Sequence, residues 1–247
     1  MSADPTTTTP APDPESAPAE DGGPGPDGEV IGRDDNGRII SRIQFENGRP
    51  HGEGTIHGPD GEVVQRMSFV DGRVDGEVIN YDADGRITQK ATFRAGRLDG
   101  EMTIYVDGRL SATMPYREDL LEGEAVHYGP GETVRGRETF LAGRREGTAV
   151  WYDEEGRLLL QSPYRNGQLD GEQVAYYLSG AVRERETYRE GVRHGPRLQY
   201  YENGNLREKR YYRDGVPQGD PVEYEEDGRP KGAPEAPPPK WYWPFGQ

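Results

Sequence analysis

The 247-residue sequence contains no cysteine. Disulfide bonds, thiolate metal sites and cysteine nucleophiles are therefore excluded. Hydrophobic residues make up only 31% of the chain, and no apolar run approaches the roughly 20 residues that span a bilayer. Glycine and proline are abundant, with 35 and 21 residues, a composition typical of disorder unless the apolar residues follow a pattern. A thick globular core is not expected.

Common catalytic motifs are also missing. The sequence has no HExxH, P-loop or GxSxG pattern. Residues 82–85, 153–156 and 225–228 are rich in carboxylates, but they lack the further ligand positions and the closing glutamate of a calcium-binding loop. We interpret them as turns and expect no enzyme, no cofactor and no metal site.

Basic residues are fewer than acidic ones, 30 against 45, and the net charge is −15. Residues 1–31 hold seven acidic residues and no lysine or arginine. This balance disfavours nucleic acid and anionic membranes as partners and suits a basic partner protein. The N-terminus has neither the basic nor the apolar region of a signal peptide, so a cytoplasmic location is expected.

What the chain does have is a repeat, seen in the segment Gly76–Gly100. A short run, Glu77–Tyr81, ends in an aromatic residue and is followed by an Asp/Gly-rich break. A second run, Arg86–Phe93, is followed by Ala95-Gly96. Two such runs predict a β-hairpin, because Gly and Asp tolerate the positive φ of tight turns.

Columns of equivalent residues keep this period over eight copies. The opening glycines are 24 residues apart, with one step of 23, and are Gly52, Gly76, Gly100, Gly123, Gly147, Gly171, Gly195 and Gly219. The first run closes with the tyrosine column, which is Tyr81, Tyr105, Tyr128, Tyr152, Tyr176, Tyr200 and Tyr224, with His57 in the first copy. The second run closes with Phe45, Phe69, Phe93, Tyr116, Phe140, Tyr164, Tyr188 and Tyr212.

The pattern predicts an all-β fold, an elongated single-layer antiparallel sheet of about eight tandem 24-residue hairpins. Alternation along the runs predicts one face with the aliphatic and aromatic columns. The opposite face is predicted to be polar, with a basic stripe that includes Arg66 and Lys90. In the fourth copy Asp119 replaces the usual glycine, and we interpret the shifted turn at residues 117–122 as a bend or bulge rather than a binding site.

Three segments are predicted. Residues 1–28 form a disordered acidic arm rich in Pro and Thr, which is either a solubilising arm or a docking tail. Residues 29–228 form the hairpin array. Residues 229–247 form a Pro-rich linker and an aromatic tail, which either caps the last hairpin or docks on a partner.

The repeat, with its aromatic-x-x-Gly, Gly-Glu and Asp-Gly-Arg elements and the pairs His51-Gly52 and His194-Gly195, resembles the MORN-repeat variant family over about residues 37–228. Bacterial chains of this kind are often labelled YwqK-type antitoxins of toxin–antitoxin systems. The resemblance implies an elongated, curved hairpin sheet that acts as an interaction surface. For MORN proteins it also implies, as the alternative, a structural or membrane-associated scaffold, which the acidity of this chain disfavours.

We therefore expect a non-catalytic scaffold for protein–protein interaction, of the antitoxin or immunity type, whose partner is a basic protein. Its oligomeric state is left open. Large aromatic side chains serve as anchors at protein interfaces. The candidate partner-binding residues are Trp241, Tyr242, Trp243, Phe245, Tyr81, Tyr105, Tyr128, Tyr152, Tyr176 and Tyr200.

Overall fold

The computed structural model describes residues 25–232, and every strand in that range is assigned to one antiparallel sheet of 22 strands. The prediction of an all-β fold built from tandem β-hairpins is thus confirmed. The strands are β1 (Gly28–Arg33), β2 (Ile39–Glu46), β3 (Arg49–His57), β4 (Val63–Val70), β5 (Arg73–Val74), β6 (Gly76–Tyr81), β7 (Ile87–Arg94), β8 (Arg97–Val106), β9 (Arg109–Arg117), β10 (Leu120–Leu121), β11 (Gly123–Tyr128), β12 (Val134–Leu141), β13 (Arg144–Arg145), β14 (Gly147–Tyr152), β15 (Leu158–Arg165), β16 (Gln168–Leu169), β17 (Gly171–Tyr176), β18 (Val182–Arg189), β19 (Val192–Tyr200), β20 (Leu206–Arg213), β21 (Val216–Pro217) and β22 (Val222–Glu223).

The described chain divides into two compact units. The first comprises residues 25–109 and 116–119, and its hairpins are β1–β2, β3–β4 and β6–β7, with β8 paired to β7. The second comprises residues 110–115 and 120–232, and its hairpins are β11–β12, β14–β15, β17–β18 and β19–β20. Each unit repeats one hairpin with the same register.

The first hairpin begins one period before Gly52, which is the first glycine of the column identified in the sequence. Gly28 lies 24 residues before Gly52 and has the same positive φ, 90° against 94°. Strand β1 pairs with β2 from Gly28 opposite Phe45. Residues 25–28 thus lead straight into the sheet, whereas residues 1–24 and 233–247 lie outside the described residues.

Two kinds of turn alternate along each unit. A two-residue turn such as Ala95-Gly96, with φ of 51° and 85°, has the positive φ values that match the right-handed twist of the strands it joins. A five-residue turn such as Asp82–Arg86 closes the other end, where the N–H of Asp82 donates to the Arg86 carbonyl over 2.9 Å. Because consecutive strands are antiparallel, all the five-residue turns of a unit lie at one end of its strands.

The fourth copy is shortened at a different place from the one predicted. Glu118 and Asp119, with φ of 48° and 67°, form a regular two-residue turn, and the Asp119 carboxylate accepts the Leu98 N–H over 2.8 Å. The residue is missing at Asp107-Gly108, where a two-residue turn replaces the five-residue one. The prediction of an irregular turn at residues 117–122 was wrong, because an aspartate with a hydrogen-bonding side chain can hold the left-handed conformation of a glycine.

The predicted assignment of side chains to faces was wrong as well. Directly opposite residues of an antiparallel pair share a face, and the register sets Ile79 opposite Lys90 and Leu198 opposite Lys209. Each tyrosine of the column lies two residues further along the chain than the residue in the slot of Ile79 and Leu198, and shares its face. The tyrosine column therefore lies on the face of the basic residues. The phenylalanine column lies on the other face, because Val78 is opposite Ala91. The runs alternate as expected, but turn geometry fixes their relative register, and a slip of one residue exchanges the faces.

Candidate functional site

The face with the phenylalanine column holds the buried residues of the first unit. Met67, Phe69 and Val78 are 3%, 6% and 7% exposed and pack with Ile43 and Phe93 among others. Burial of apolar side chains is the main stabilising contribution here, at about 25 cal/mol per Å². This face is a thin core, and the buried side chains of Met67, Phe69 and Val78 are not available to a partner.

In the second unit the same face buries carboxylates as well as apolar residues such as Ala125 and Ala149. Glu138 is 5% exposed, and its two oxygens lie 2.7 Å from Arg145 Nε and 3.2 Å from His127 Nε2. Burial raises the pKa of Glu138, but the hydrogen bond with His127 and the charge of Arg145 outweigh it and hold the pKa below its ordinary value. Glu138 is therefore ionised at neutral pH and structural in role.

Glu186, two copies later, repeats this arrangement. It is 7% exposed, Arg193 Nε lies 2.6 Å from its carboxylate, and the Tyr188 hydroxyl donates to it. In both sites the arginine also lies over a tyrosine of the next copy, with Arg145 at 5.3 Å from the Tyr164 ring centre and Arg193 at 5.5 Å from that of Tyr212. These cation–π contacts link neighbouring copies.

The opposite face carries the predicted tyrosine column. The residues Tyr81, Tyr105, Tyr128, Tyr152, Tyr176 and Tyr200 are all half-buried. Tyr176 donates its hydroxyl hydrogen to Gln161 over 2.8 Å. The predicted site residues Trp241, Tyr242, Trp243 and Phe245 lie outside the described residues. Glutamates of the opening strands pair with basic residues of this face, since Glu124 pairs with Arg137 and Glu172 with Arg185.

Except at the shortened copy, where Val106 follows Tyr105, each tyrosine of the column directly precedes a five-residue turn. We call these segments the long turns. In the first unit they are residues 34–38, 58–62 and 82–86. In the second unit they are residues 129–133, 153–157, 177–181, 201–205 and 225–229. Within a unit, equivalent turns recur every two strands, about 9.6 Å apart.

The long turns carry the whole charge excess of the described chain. They contain 14 acidic residues and four arginines, whereas residues 25–232 together contain 39 acidic and 29 basic residues. Acidic residues exceed basic residues by ten both in the long turns and in residues 25–232 as a whole. The rest of the described chain therefore has no net charge. In the first unit the six acidic residues of the long turns are Asp34, Asp35, Asp60, Glu62, Asp82 and Asp84.

The first acid of a long turn has a structural task. Asp82 Oδ1 accepts the N–H of Asp84 and of Arg86 over 3.0 and 2.8 Å, and Oδ2 lies 3.0 Å from Arg86 Nε. The backbone N–H of Arg86 and its guanidinium group hold the pKa of Asp82 below its ordinary value. Asp34 and Arg38 repeat this geometry, and the bond from the Arg38 N–H holds the pKa of Asp34 low. The aspartates are thus turn residues, as predicted.

Most of the other acids of the long turns in the first unit point outward, but Glu62 is half-buried and accepts the N–H of Asp60 over 3.0 Å. Asp35, Asp60 and Asp84 are exposed at successive turns of the first unit. Together with Tyr81 at the base of the third turn, they make an anionic surface that carries an aromatic anchor, which we call the acidic turn surface. Sequence reasoning missed it because the acids were considered turn by turn. The signal was the recurrence of Asp or Glu at the same slots of the repeat.

No group of three or more His, Cys, Asp or Glu side chains within residues 25–232 could hold a metal ion. Over the same residues there is no helix that is long and apolar enough to cross a membrane.

The fold and its surfaces define the class of protein: a repeat protein in which successive β-hairpins present a row of tyrosines and acidic turns. Comparison with family profiles makes this more specific. The MORN repeat profile matches residues 44–63, and the MORN repeat variant profile matches residues 145–166 and 193–218. These matches cover less than a third of the chain and support a MORN-repeat family. Such repeats are generally non-catalytic scaffolds that commonly mediate interactions.

Other comparisons add little. A search of curated proteins found no match. Among solved structures, the chain is similar to the crystal structure titled TcdB2-TccC3-Cdc42, with 13% identity, 82% of this chain covered and a TM-score of 0.22. A crystal structure of TcdB2-TccC3 matches with 13% identity, 82% coverage and a TM-score of 0.17. The chain spans only 13% and 15% of the length of those two chains. Nothing about this chain follows from TM-scores this low.

Proposed function

We propose that this protein is a non-catalytic scaffold that binds a basic partner protein, in the manner of an antitoxin or immunity protein. The observation that supports this most is the confinement of the charge excess to the long turns. A concentrated anionic surface attracts a cationic partner and speeds its encounter at low salt. An inhibitor that covers a toxin uses such complementarity.

The partner contacts the outward carboxylates of the acidic turn surface and the ring of Tyr81 together. Tyr81 directly precedes Asp82–Arg86, so a protein that engages the outward carboxylates also reaches the ring. Tyrosine is among the residues that contribute most at interfaces, because its large ring loses little conformational entropy on binding. The aromatic tail, Trp241–Phe245, adds a second set of anchors in this proposal.

The experiment compares three forms of the full chain as baits in the native host. In the test form, D35N/D60N/D84N removes three outward charges of the long turns. In the matched control, E46Q/D71N/E118Q removes three charges of the same unit at the two-residue turns. The proposal requires one strongly basic protein to be retained by the natural sequence and by the control but lost from the test form, and to be released as salt rises.

The antitoxin function is tested by co-expression of the captured protein. Expression of that protein alone should stop growth, and the natural chain should restore it while the test form does not. Equal retention by all three baits would overturn the role of the acidic turns. Recovery of membranes without any protein would instead favour the structural or membrane-associated scaffold. The proposal includes a cytoplasmic location, which fractionation of the native host checks.

A further inference from the structure

The last two complete hairpins of the second unit, β17–β18 and β19–β20, have one side that is strongly basic. It is the side of the tyrosine column, and Glu172 is the one acidic residue that the four strands place on it. Six basic residues of β18 and β20 share this side, and they are Arg183, Arg185, Arg189, Arg207, Lys209 and Arg213. We call this set of six residues the basic face.

Two guanidinium groups of the basic face have no partner among the described residues. Arg185 pairs with Glu172. Arg183 and Arg207 are exposed, and within residues 25–232 neither of them pairs with a carboxylate or lies over an aromatic ring. The carboxylates of β18 and β20 lie on the other side of the sheet, where they pair with arginines.

The basic face also exposes apolar groups. Tyr211 and Val222 are each 48% exposed, and Val192 is 44% exposed. Val222 is opposite Lys209 and Val192 is opposite Arg189, so the apolar groups lie beside the cations. A ligand with large aromatic rings matches such a surface, because a ring covers apolar groups and its π face attracts a guanidinium or ammonium group.

Contacts between rings and cations already occur at three places in this unit. On the basic face, Lys209 Nζ lies 4.9 Å from the ring centre of Tyr211. On the other side, Arg145 and Arg193 each lie over a tyrosine of the next copy. Rings supplied from outside the described residues would give Arg183 and Arg207 the same kind of partner.

The aromatic tail of this chain supplies such rings. Its aromatic residues are Trp241, Tyr242, Trp243 and Phe245. We propose that the tail docks on the basic face. Residues 233–247 hold one acidic and one basic residue, Glu235 and Lys240, so the tail brings no net charge and its rings provide the attraction. Tryptophan is the side chain that attracts cations most strongly.

The tail begins close to the basic face. The Lys231 N–H donates to the Glu223 carbonyl over 2.9 Å, so residues 230–232 lie alongside β22. Strand β22 pairs with β20, β20 with β19 and β19 with β18, which places β20 about 10 Å and β18 about 19 Å from this segment. The chain from Gly232 to Trp241 can span about 30 Å. The rings therefore reach both strands, and the contact stays within the second unit.

Tethering makes weak contacts of this kind effective, since a linked segment has an effective concentration on the order of millimolar. No strand pairing of the described residues involves the tail, so its docking contributes little to folding. Docking places the tail when no partner is bound and does not depend on the proposed function. It is measured on the purified chain alone, so a failure of one proposal leaves the other standing.

Disulfide trapping tests the docking. Since the chain has no cysteine, G246C and L198C together place one thiol in the tail and one on the side of the basic face. The matched control combines G246C with Q199C, the adjacent residue of β19, which lies on the opposite side of the sheet. The intramolecular disulfide should form about tenfold faster in the first chain, since two exposed cation–π contacts bias the tail by roughly that factor.

Charge and ring variants decide whether the basic face is responsible. R183Q/R207Q should remove the difference in rate, whereas R135Q/R137Q should keep it. Arg135 and Arg137 hold the slots of Arg183 and Arg185 two copies earlier, on β12, which lies about 38 Å from Gly232, twice as far as β18. If R183Q/R207Q disturbs the fold, W241L/W243L removes two rings of the tail without any change in the array and gives the same test.

Equal trapping on both sides of the sheet would overturn the proposal. So would a difference in rate that survives both R183Q/R207Q and W241L/W243L. Disulfides that form only between two chains would also contradict it, because they would assign the basic face to the tail of a second copy.

Discussion

At the scale of single residues, the second unit adds buried ion pairs to the apolar packing that both units have. Glu138 stands in the column that holds Met67 in the first unit, yet both are almost fully buried. A buried carboxylate is costly unless its charge is paired and its oxygens accept hydrogen bonds. Arg145 and His127 meet that requirement for Glu138. A change to any of these three residues should therefore lower the free energy of unfolding.

E138Q tests the cluster. The variant keeps the shape but loses the charge that pairs with Arg145, and the free energy of unfolding should fall by about 1–3 kcal/mol at neutral pH. Because the folded-state pKa of Glu138 is depressed, the stabilisation by its charge is complete above the unfolded value of about 4.3. It is lost as the pH falls through the lower folded value.

Urea unfolding of both proteins across this pH range is the measurement. The difference between natural chain and E138Q should shrink as the solution is acidified. Glu53, exposed on the other face, provides the control, and E53Q should unfold like the natural chain throughout. A penalty for E138Q that stays constant down to low pH would show that its charge is not the stabilising feature.

At the scale of the hairpin, an acid just before the opening glycine ties several copies to the next. Asp75 accepts the N–H of Ala95 over 2.9 Å, and Glu146 accepts that of Asn166 over 2.9 Å, in both cases 20 residues further along. The two-residue turn of one hairpin is thus held by the side chain of the preceding copy. These bonds come in addition to the strand ladder and fix the position of the turn.

E146A should loosen one turn without unfolding the sheet. Loss of a hydrogen bond contributing about 0.5–1.5 kcal/mol corresponds to a roughly twofold to thirteenfold faster hydrogen exchange of the Asn166 amide. E146Q keeps an oxygen acceptor and should exchange almost like the natural chain. Faster exchange at Asn166 in both variants would assign the effect to charge instead of to the hydrogen bond.

At the scale of the whole molecule, periodic register predicts that copies can be removed in whole units. Deletion of residues 147–170 joins Glu146 to Gly171, which opens its strand in the same way as Gly147. Since each copy mainly contacts its neighbours, the shorter chain should fold with a similar far-UV circular dichroism spectrum and unfold at a lower urea concentration. Deletion of residues 147–158, half a period, breaks the register and should leave the chain unable to fold. Equal damage by the two deletions would argue against modular copies.

Truncation after Gly232 tests the predicted role of the aromatic tail. The last described contacts, the Lys231 N–H to the Glu223 carbonyl at 2.9 Å and the bridge between Tyr224 and Pro230, remain in that variant. Its urea midpoint should therefore change little, while any complex or oligomer of the full chain becomes weaker. Truncation after Glu225 removes those contacts and should lower the midpoint. A large loss of stability from the first truncation, with binding unchanged, would make the tail an end cap.

The sequence by itself determined the hairpin, its period and its turns. Glycine, Asp and Asn at fixed slots are the residues that tolerate positive φ, and alternation of apolar and polar residues sets each run as a strand. These are local properties, so the all-β repeat fold and the turn role of Asp82 could be predicted. Gly28 was missed only because the first copy was counted from Gly52.

Only the tertiary structure decided which runs share a face and where charge accumulates. The faces depend on the register between strands, and the pairing of Ile79 with Lys90 places the tyrosines beside the basic residues. Gly136 belongs to no glycine column, yet a Cβ there would lie 2.5 Å from the Trp151 ring, which comes from the next hairpin. Close approach, burial and the alignment of turns are relations between strands distant in sequence, and the pattern within one run does not specify them.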